Sequence, residues 1–169
     1  AGVQTCALPI SRVLEHGSYI MGPEVFELED LLATRVRRRH CVTCASGTDA
    51  LQMALMALGV GPGDRVVVPD FTFVATAEAV RLVGAEPIFA DVDPVTYNLD
   101  PESAEMAWEL PGPSPVGVIA VDLFGHPASS SELELLVQRH DAWLIVDGAQ
   151  SLGATRDGRS GIARGVIAT

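Results

Sequence analysis

"AWLIVDGAQSLGA", residues 142–154, sets four large apolar side chains in a row, Trp143, Leu144, Ile145 and Val146, and follows them with an acid, Asp147. A short unbroken apolar run bounded by small residues reads as a strand buried on both faces, the pattern of a parallel sheet covered by helices. The acid at its tip is the anomaly. A carboxylate taken out of water without a partner is costly, so Asp147 must be solvated, capped onto backbone or paired with a cation.

Working outward, the same strand pattern recurs in "RVVVP" (65–69), "EPIFADV" (86–92) and "VGVIAVD" (116–122), and residues 41–45 and "GVIAT" (165–169) read as further strands. Helices are predicted over 48–58, 73–83, 101–110 and 130–140; Leu51, Leu55 and Leu58 share one face of the first, and Gly59 and Gly84 stop the first two. Upstream, Gly22-Pro23-Glu24 opens another helix, since Pro suits the first helical position and an acid the first turn. Phe26, Leu28, Leu31, Leu32 and Val36 give it an apolar side, and it ends among Arg35, Arg37, Arg38 and Arg39, where cations suit a helix C-terminus. "TRDGRSG" (155–161) carries an Asp-Gly turn signal and predicts a hairpin. The fold class that follows is α/β: a mixed, mostly parallel sheet with helices on both faces.

The 169 residues suit one domain or part of a larger one, and 48% hydrophobic content supports a sizeable core. A formal charge of −11 argues against non-specific nucleic-acid binding and against an anionic membrane surface. No apolar run is long enough to span a bilayer, and no basic segment precedes an apolar stretch as in a secretory signal; a cytoplasmic location is expected. Every basic residue is Arg, and there is no Lys. "GVQTCALPI" (2–10) matches the translation of a common sequencing adapter. Residues 1–11 are therefore set apart as adapter-derived or disordered. Cys41 and Cys44 beside His40 have the spacing of a metal or redox pair. On a strand, however, they point to opposite sides, and no second Cys/His pair completes a tetrahedral site. They read as reduced thiols, and no metal is expected.

Ligands in such sheets bind beyond the carboxyl ends of the strands, where three groups of residues fall. Ser46-Gly47-Thr48-Asp49 joins a strand to a helix; its backbone N–H groups and the Thr48 hydroxyl could cradle a phosphate, or the stretch is an ordinary helix cap. It lacks the Gly-Lys-Ser/Thr of a nucleotide-triphosphate loop, and "GVGPGD" (59–64) follows a helix, so a dinucleotide fingerprint fails on context. Phe73 could lie flat on a planar cofactor or belong to the core. Asp147 suits a protonated ring nitrogen, with Gln150 near the ring's substituents, or it caps the turn at Gly148. Pyridoxal phosphate has the flat ring, the nitrogen and the phosphate together.

The chain resembles the DegT/DnrJ/EryC1/StrS family, sugar aminotransferases of the aspartate-aminotransferase fold. The matching stretches are "HGSYIMGPEVFELE" (16–29), "CASGTDALQMAL" (44–55), "ALGVGPGDRVVVPDFTFVATAEAV" (57–80), "GAEPIFADVDPVTYNLDP" (84–101), "VDLFGHPA" (121–128) and "LIVDGAQSLGA" (144–154). The resemblance implies pyridoxal 5'-phosphate bound by Gly47, Thr48 and Asp49 at its phosphate, Phe73 on its ring, Asp147 at the ring nitrogen and Gln150 beside it. It also implies a nucleotide-linked keto sugar, an amino-acid donor such as glutamate, and a homodimer. Residues 12–169 would be part of the large cofactor-binding domain, without the C-terminal small domain. The family's Schiff-base lysine is expected beyond Thr169, so no catalytic residue is assigned within these residues. A sugar dehydratase of the same family, with His in place of that lysine, and a non-catalytic regulatory member remain alternatives.

Overall fold

The computed structural model describes residues 2–156, 158–163 and 165–169. The chain divides into two compact units, Ala1–Thr43 and Cys44–Thr169.

The first unit holds helices α1 (Gly2–His16) and α2 (Pro23–Val36). Pro23 sits in the first turn of α2, and Arg37 ends it with a left-handed φ of 57°. Residues 2–11, expected to lack fixed structure, are helical. The helix is tied at its far end, where Arg12 pairs with Glu24 at 2.7 Å and with Glu27 at 2.8 Å, while Leu8 and Ile10 stay exposed. The predicted apolar side of α2 is only partly covered, because Phe26, Leu28 and Leu31 remain exposed.

The expected strand over 41–45 is not formed. Its backbone is engaged elsewhere: the Thr43 N–H donates to Glu29 Oε1 at 2.7 Å, and no neighbouring strand pairs with it among the described residues. The argument that Cys41 and Cys44 face opposite sides lapses with that strand. No group of three or more His, Cys, Asp or Glu side chains able to hold a metal occurs among the described residues.

The second unit runs α3 (Gly47–Ala57), β1 (Arg65–Pro69), α4 (Ala75–Leu82), β2 (Glu86–Ala90), α5 (Pro101–Met106), β3 (Gly117–Val121), α6 (Ser130–Arg139), β4 (Trp143–Asp147), β5 (Thr155–Arg156), β6 (Arg159–Ser160) and β7 (Ile167–Ala168). The main sheet has the order β2-β1-β3-β4-β7, and all its pairings are parallel. Antiparallel pairing occurs outside that sheet, in the small β5–β6 hairpin predicted from the Asp-Gly signal and in a Val92–Leu99 bridge.

Leu51, Leu55, Ala79 and Val80 from α3 and α4 pack with Val66, Val68, Ile119 and Ile145 of the sheet. Successive strand residues alternate faces, so Val67 and Leu144 serve the other side, where α6 lies against β3 and β4. Leu133 and Leu136 of α6 are fully buried. Each such Leu or Ile contributes about 1.5–3 kcal/mol by leaving water. Trp143 fixes one close approach, since a methyl added at Gly117 would collide with its ring.

Chain order places β2 on one side of β1 and β3 on the other. The strand order reverses there, and the crevice beyond the carboxyl ends of those strands is where such sheets take ligands.

Candidate cofactor site

A cleft of about 220 Å³ opens at that crevice. One wall is the start of α3, through Gly47, Thr48 and Leu51; a second is the segment after β1, through Thr72, Phe73 and Ala75. Val121 and Leu123 from the end of β3, with Asp147, Ala149 and Gln150 from the end of β4, complete it.

Ser46 caps α3. Its Oγ accepts from the Asp49 N–H at 3.2 Å and donates to Asp49 Oδ2 at 2.7 Å. That reciprocal pair occupies Asp49, which does not line the cleft. The first N–H groups of a helix have no acceptor within it, so Gly47 and Thr48 offer theirs at the positive end of the helix dipole. A methyl added at Gly47 meets no atom within 4 Å; the backbone there borders open space. Phe73 precedes α4 and is 69% exposed, so it does not belong to the core.

Asp147 is the last residue of β4 and is half-buried. Its Oδ1 accepts from the Ala149 N–H at 3.1 Å, the turn cap anticipated from Gly148. Burial pushes the carboxyl above its ordinary value; the Ala149 N–H pulls the other way, and the negative charge of Asp122 adds to the rise. Among the described residues, no basic side chain lines the cleft. Gln150 turns its Oε1 to the Phe124 N–H at 2.6 Å, holding a residue whose backbone is left-handed, with φ 56°. Its amide NH₂ is left as the end that can donate to a ligand.

Gly47, Thr48, Phe73, Asp147 and Gln150 thus meet at one edge of the sheet, and Asp49 stands behind them. Sequence reasoning passed over Asp122. The signal was present: "VIAVD" and "LIVD" are two buried strands that run into an acid at the same end, and they are neighbours in register, Val121 opposite Asp147.

A parallel α/β sheet with a helix N-terminus, an aromatic and a half-buried acid at its switch point belongs to the class of α/β folds that can take a small-molecule ligand there. The sequence pattern of the DegT/DnrJ/EryC1/StrS aminotransferase family matches residues 4–169, starting inside the stretch 1–11, and the chain belongs to that family. It is 51% identical over 150 residues to the UDP-2-acetamido-2-deoxy-3-oxo-D-glucuronate aminotransferase of Pseudomonas aeruginosa, covering 89% of this chain and 41% of that protein. Among solved structures it is similar to a DegT/DnrJ/EryC1/StrS aminotransferase from Brucella abortus, with 47% identity, a TM-score of 0.91, and 94% and 44% of the two chains covered. It is also similar to NtdA of Bacillus subtilis with bound cofactor PMP, with 32% identity, a TM-score of 0.84, and 92% and 35% covered. The chain therefore spans about two fifths of the length of the relatives it matches. No helix among the described residues is long and apolar enough to cross a membrane.

Proposed function

We propose that these residues are the N-terminal part of a pyridoxal-phosphate-dependent aminotransferase that moves an amino group from an amino acid, glutamate, to a nucleotide-linked keto sugar. The observation that carries this reading is Asp147. A carboxylate raised by burial, in a cleft that no basic side chain lines among the described residues, suits a cationic ligand, and a protonated pyridine is such a cation.

The other residues fit the same molecule. The N–H groups of Gly47 and Thr48 and the Thr48 hydroxyl are donors for a phosphate. Phe73 offers an exposed ring face. Gln150 keeps an amide donor for a ring oxygen. Asp49 acts through the cap it shares with Ser46 rather than on the phosphate, where a second negative charge would repel. Bound, the cofactor would supply an aldehyde carbon to carry the amino group and a ring to act as electron sink. Asp147 holds the proton on the ring nitrogen, Phe73 fixes the ring plane, and the start of α3 anchors the phosphate against rotation. With no Lys in the sequence, these residues alone cannot attach the cofactor covalently, and turnover is expected of the full-length protein, as a cytoplasmic homodimer whose second subunit completes the site.

The test is direct. Full-length protein, loaded with pyridoxamine phosphate and given a UDP-linked 3-keto sugar, should yield an amino sugar by mass spectrometry and regain the amine form with glutamate. A product that has lost water and gained no nitrogen would mark a sugar dehydratase and overturn the transfer reading. Failure to bind pyridoxamine phosphate at all would overturn the site.

A further inference from the structure

The two strands beneath the cleft end alike, but only one of their acids reaches it. Asp122, the residue after β3, is 0% exposed. Its Oδ1 accepts from the Ala128 N–H at 2.8 Å and its Oδ2 from the Ser151 hydroxyl at 2.7 Å. These donors stand on different loops. Ala128 closes the loop that leaves β3 and carries Leu123; Ser151 closes the turn that leaves β4 just after Asp147 and carries Gln150. The Asp122 N–H also donates to the Asp147 carbonyl at 2.9 Å. Gly161 packs against the carboxylate so tightly that a methyl there would strike Oδ2.

The β3 loop has a further tie. Asn98, itself buried, accepts from the Leu123 N–H at 3.1 Å and donates to the His126 carbonyl at 2.8 Å. The straps alone do not call for an acid at position 122. An Asn of the same shape could accept from Ala128 and pair with Ser151, without the cost of a buried charge. Among the described residues, neither Asp122 nor Asp147 has a hydrogen bond or ion pair from an Arg or His side chain, and the charge that acts on Asp147 is that of Asp122.

We propose that Asp122 is a positioning residue: it straps together the two loops that border the cleft and places a second negative charge beneath Asp147, so that the cleft selects a cationic ring over a neutral one of the same shape. For its ligand this rests on the function proposed above; for its effect on Asp147 it does not.

The decisive experiment needs no ligand. Thermal unfolding of the full-length protein is followed across a pH series for wild type, Asp122→Asn, Asp147→Asn and the double variant. Because the folded-state Asp147 is raised, wild type should lose stability as pH rises through and above the ordinary carboxylate range. Asp122→Asn should make that decline smaller and end it at lower pH, and should lose this effect when residue 147 is already Asn. A purely structural Asp122 would cost the same at every pH and in both backgrounds, and that result would overturn the proposal. Should Asp122→Asn fail to fold, Asp122→Ser, smaller and still bearing a hydroxyl for Ser151, takes its place in the cycle.

A second arm reads selectivity. Asp122→Asn should weaken pyridoxamine phosphate binding roughly three- to tenfold, as loss of one nearby charge implies. It should leave unchanged the affinity for the benzene analogue, whose ring carries no nitrogen. Equal losses for both ligands would remove the charge from the argument. If neither ligand binds wild type, the functional reading fails while the pH cycle still decides the role of Asp122.

Discussion

Two carboxylates in the two units of this chain are treated in opposite ways. Glu24 stands in the first turn of α2, where its own backbone N–H above all, helped by the Arg12 and His16 side chains, outweighs the opposing effect of burial and holds it down to about 2. Asp147 stands at the end of β4, where burial pushes it up and one N–H, from Ala149, opposes. Glu24 has its cations built into the fold. Asp147 has an acid for a neighbour and, among the described residues, no basic side chain in its cleft. The difference separates a carboxylate that serves local structure from one arranged for a ligand.

The largest effect expected to sharpen this contrast is catalytic. In the full-length protein, Asp147→Asn should lower kcat by roughly a hundredfold or more, the scale seen when a preorganised electrostatic partner is lost. Covalent attachment of the cofactor, read by absorbance, should persist. Near-normal turnover would place Asp147 with Glu24 as a structural acid.

Next in size is a contrast of cores. Leu144→Ala removes a side chain that is 1% exposed and should cost about 2–5 kcal/mol in urea unfolding. Phe26→Ala, on the exposed side of α2, should stay within about 0.5 kcal/mol in the same assay unless another surface covers it. An equal loss at both sites would show that the α2 face is buried in solution.

Asp147→Asn should also stabilise the ligand-free protein at neutral pH. A raised folded-state value means that stability falls as pH climbs past the unfolded value, and an amide does not ionise. The gain should vanish in acid, which melting curves across pH would show. The smallest effect belongs to Glu24→Gln. A lowered folded-state value contributes stability above the ordinary carboxylate range and loses it as pH falls toward about 2. The variant should melt slightly lower at neutral pH, match wild type near pH 2, and lose most of the difference in high salt.

Much of the fold follows from local pattern. β1, β3 and β4 were legible because each is an unbroken apolar run, and a strand covered on both faces has no solvent side to interrupt it. α3 was legible through Ser46, the leucine spacing and Gly59. The hairpin was announced by Asp-Gly. Residues 41–45 were misread because a strand exists only through a ladder partner, and here Glu29 takes the Thr43 N–H instead. The apolar side of α2 was correctly seen as apolar, but spacing cannot say what covers it, and Phe26, Leu28 and Leu31 lie open.

The candidate site divides along the same line. The sequence by itself determined that an acid would end a dry strand, that an aromatic would follow another strand end, that a helix would start at a Ser46 cap, and that no lysine lies within these residues. These are properties of neighbours along the chain, set by alternation, capping and burial preference. Only the tertiary structure decided which of them meet. Parallel crossovers carry β1, β3 and β4 side by side from distant parts of the chain, so the register of the sheet, and no local rule, brings Thr48, Phe73 and Asp147 to one cleft. The same register sets Asp122 beside Asp147 and gives Gln150 to Phe124, because the fate of a polar side chain is fixed by the donors that folding places within hydrogen-bond reach; Asp49 is the exception, turned to Ser46 by a cap three residues away in the chain.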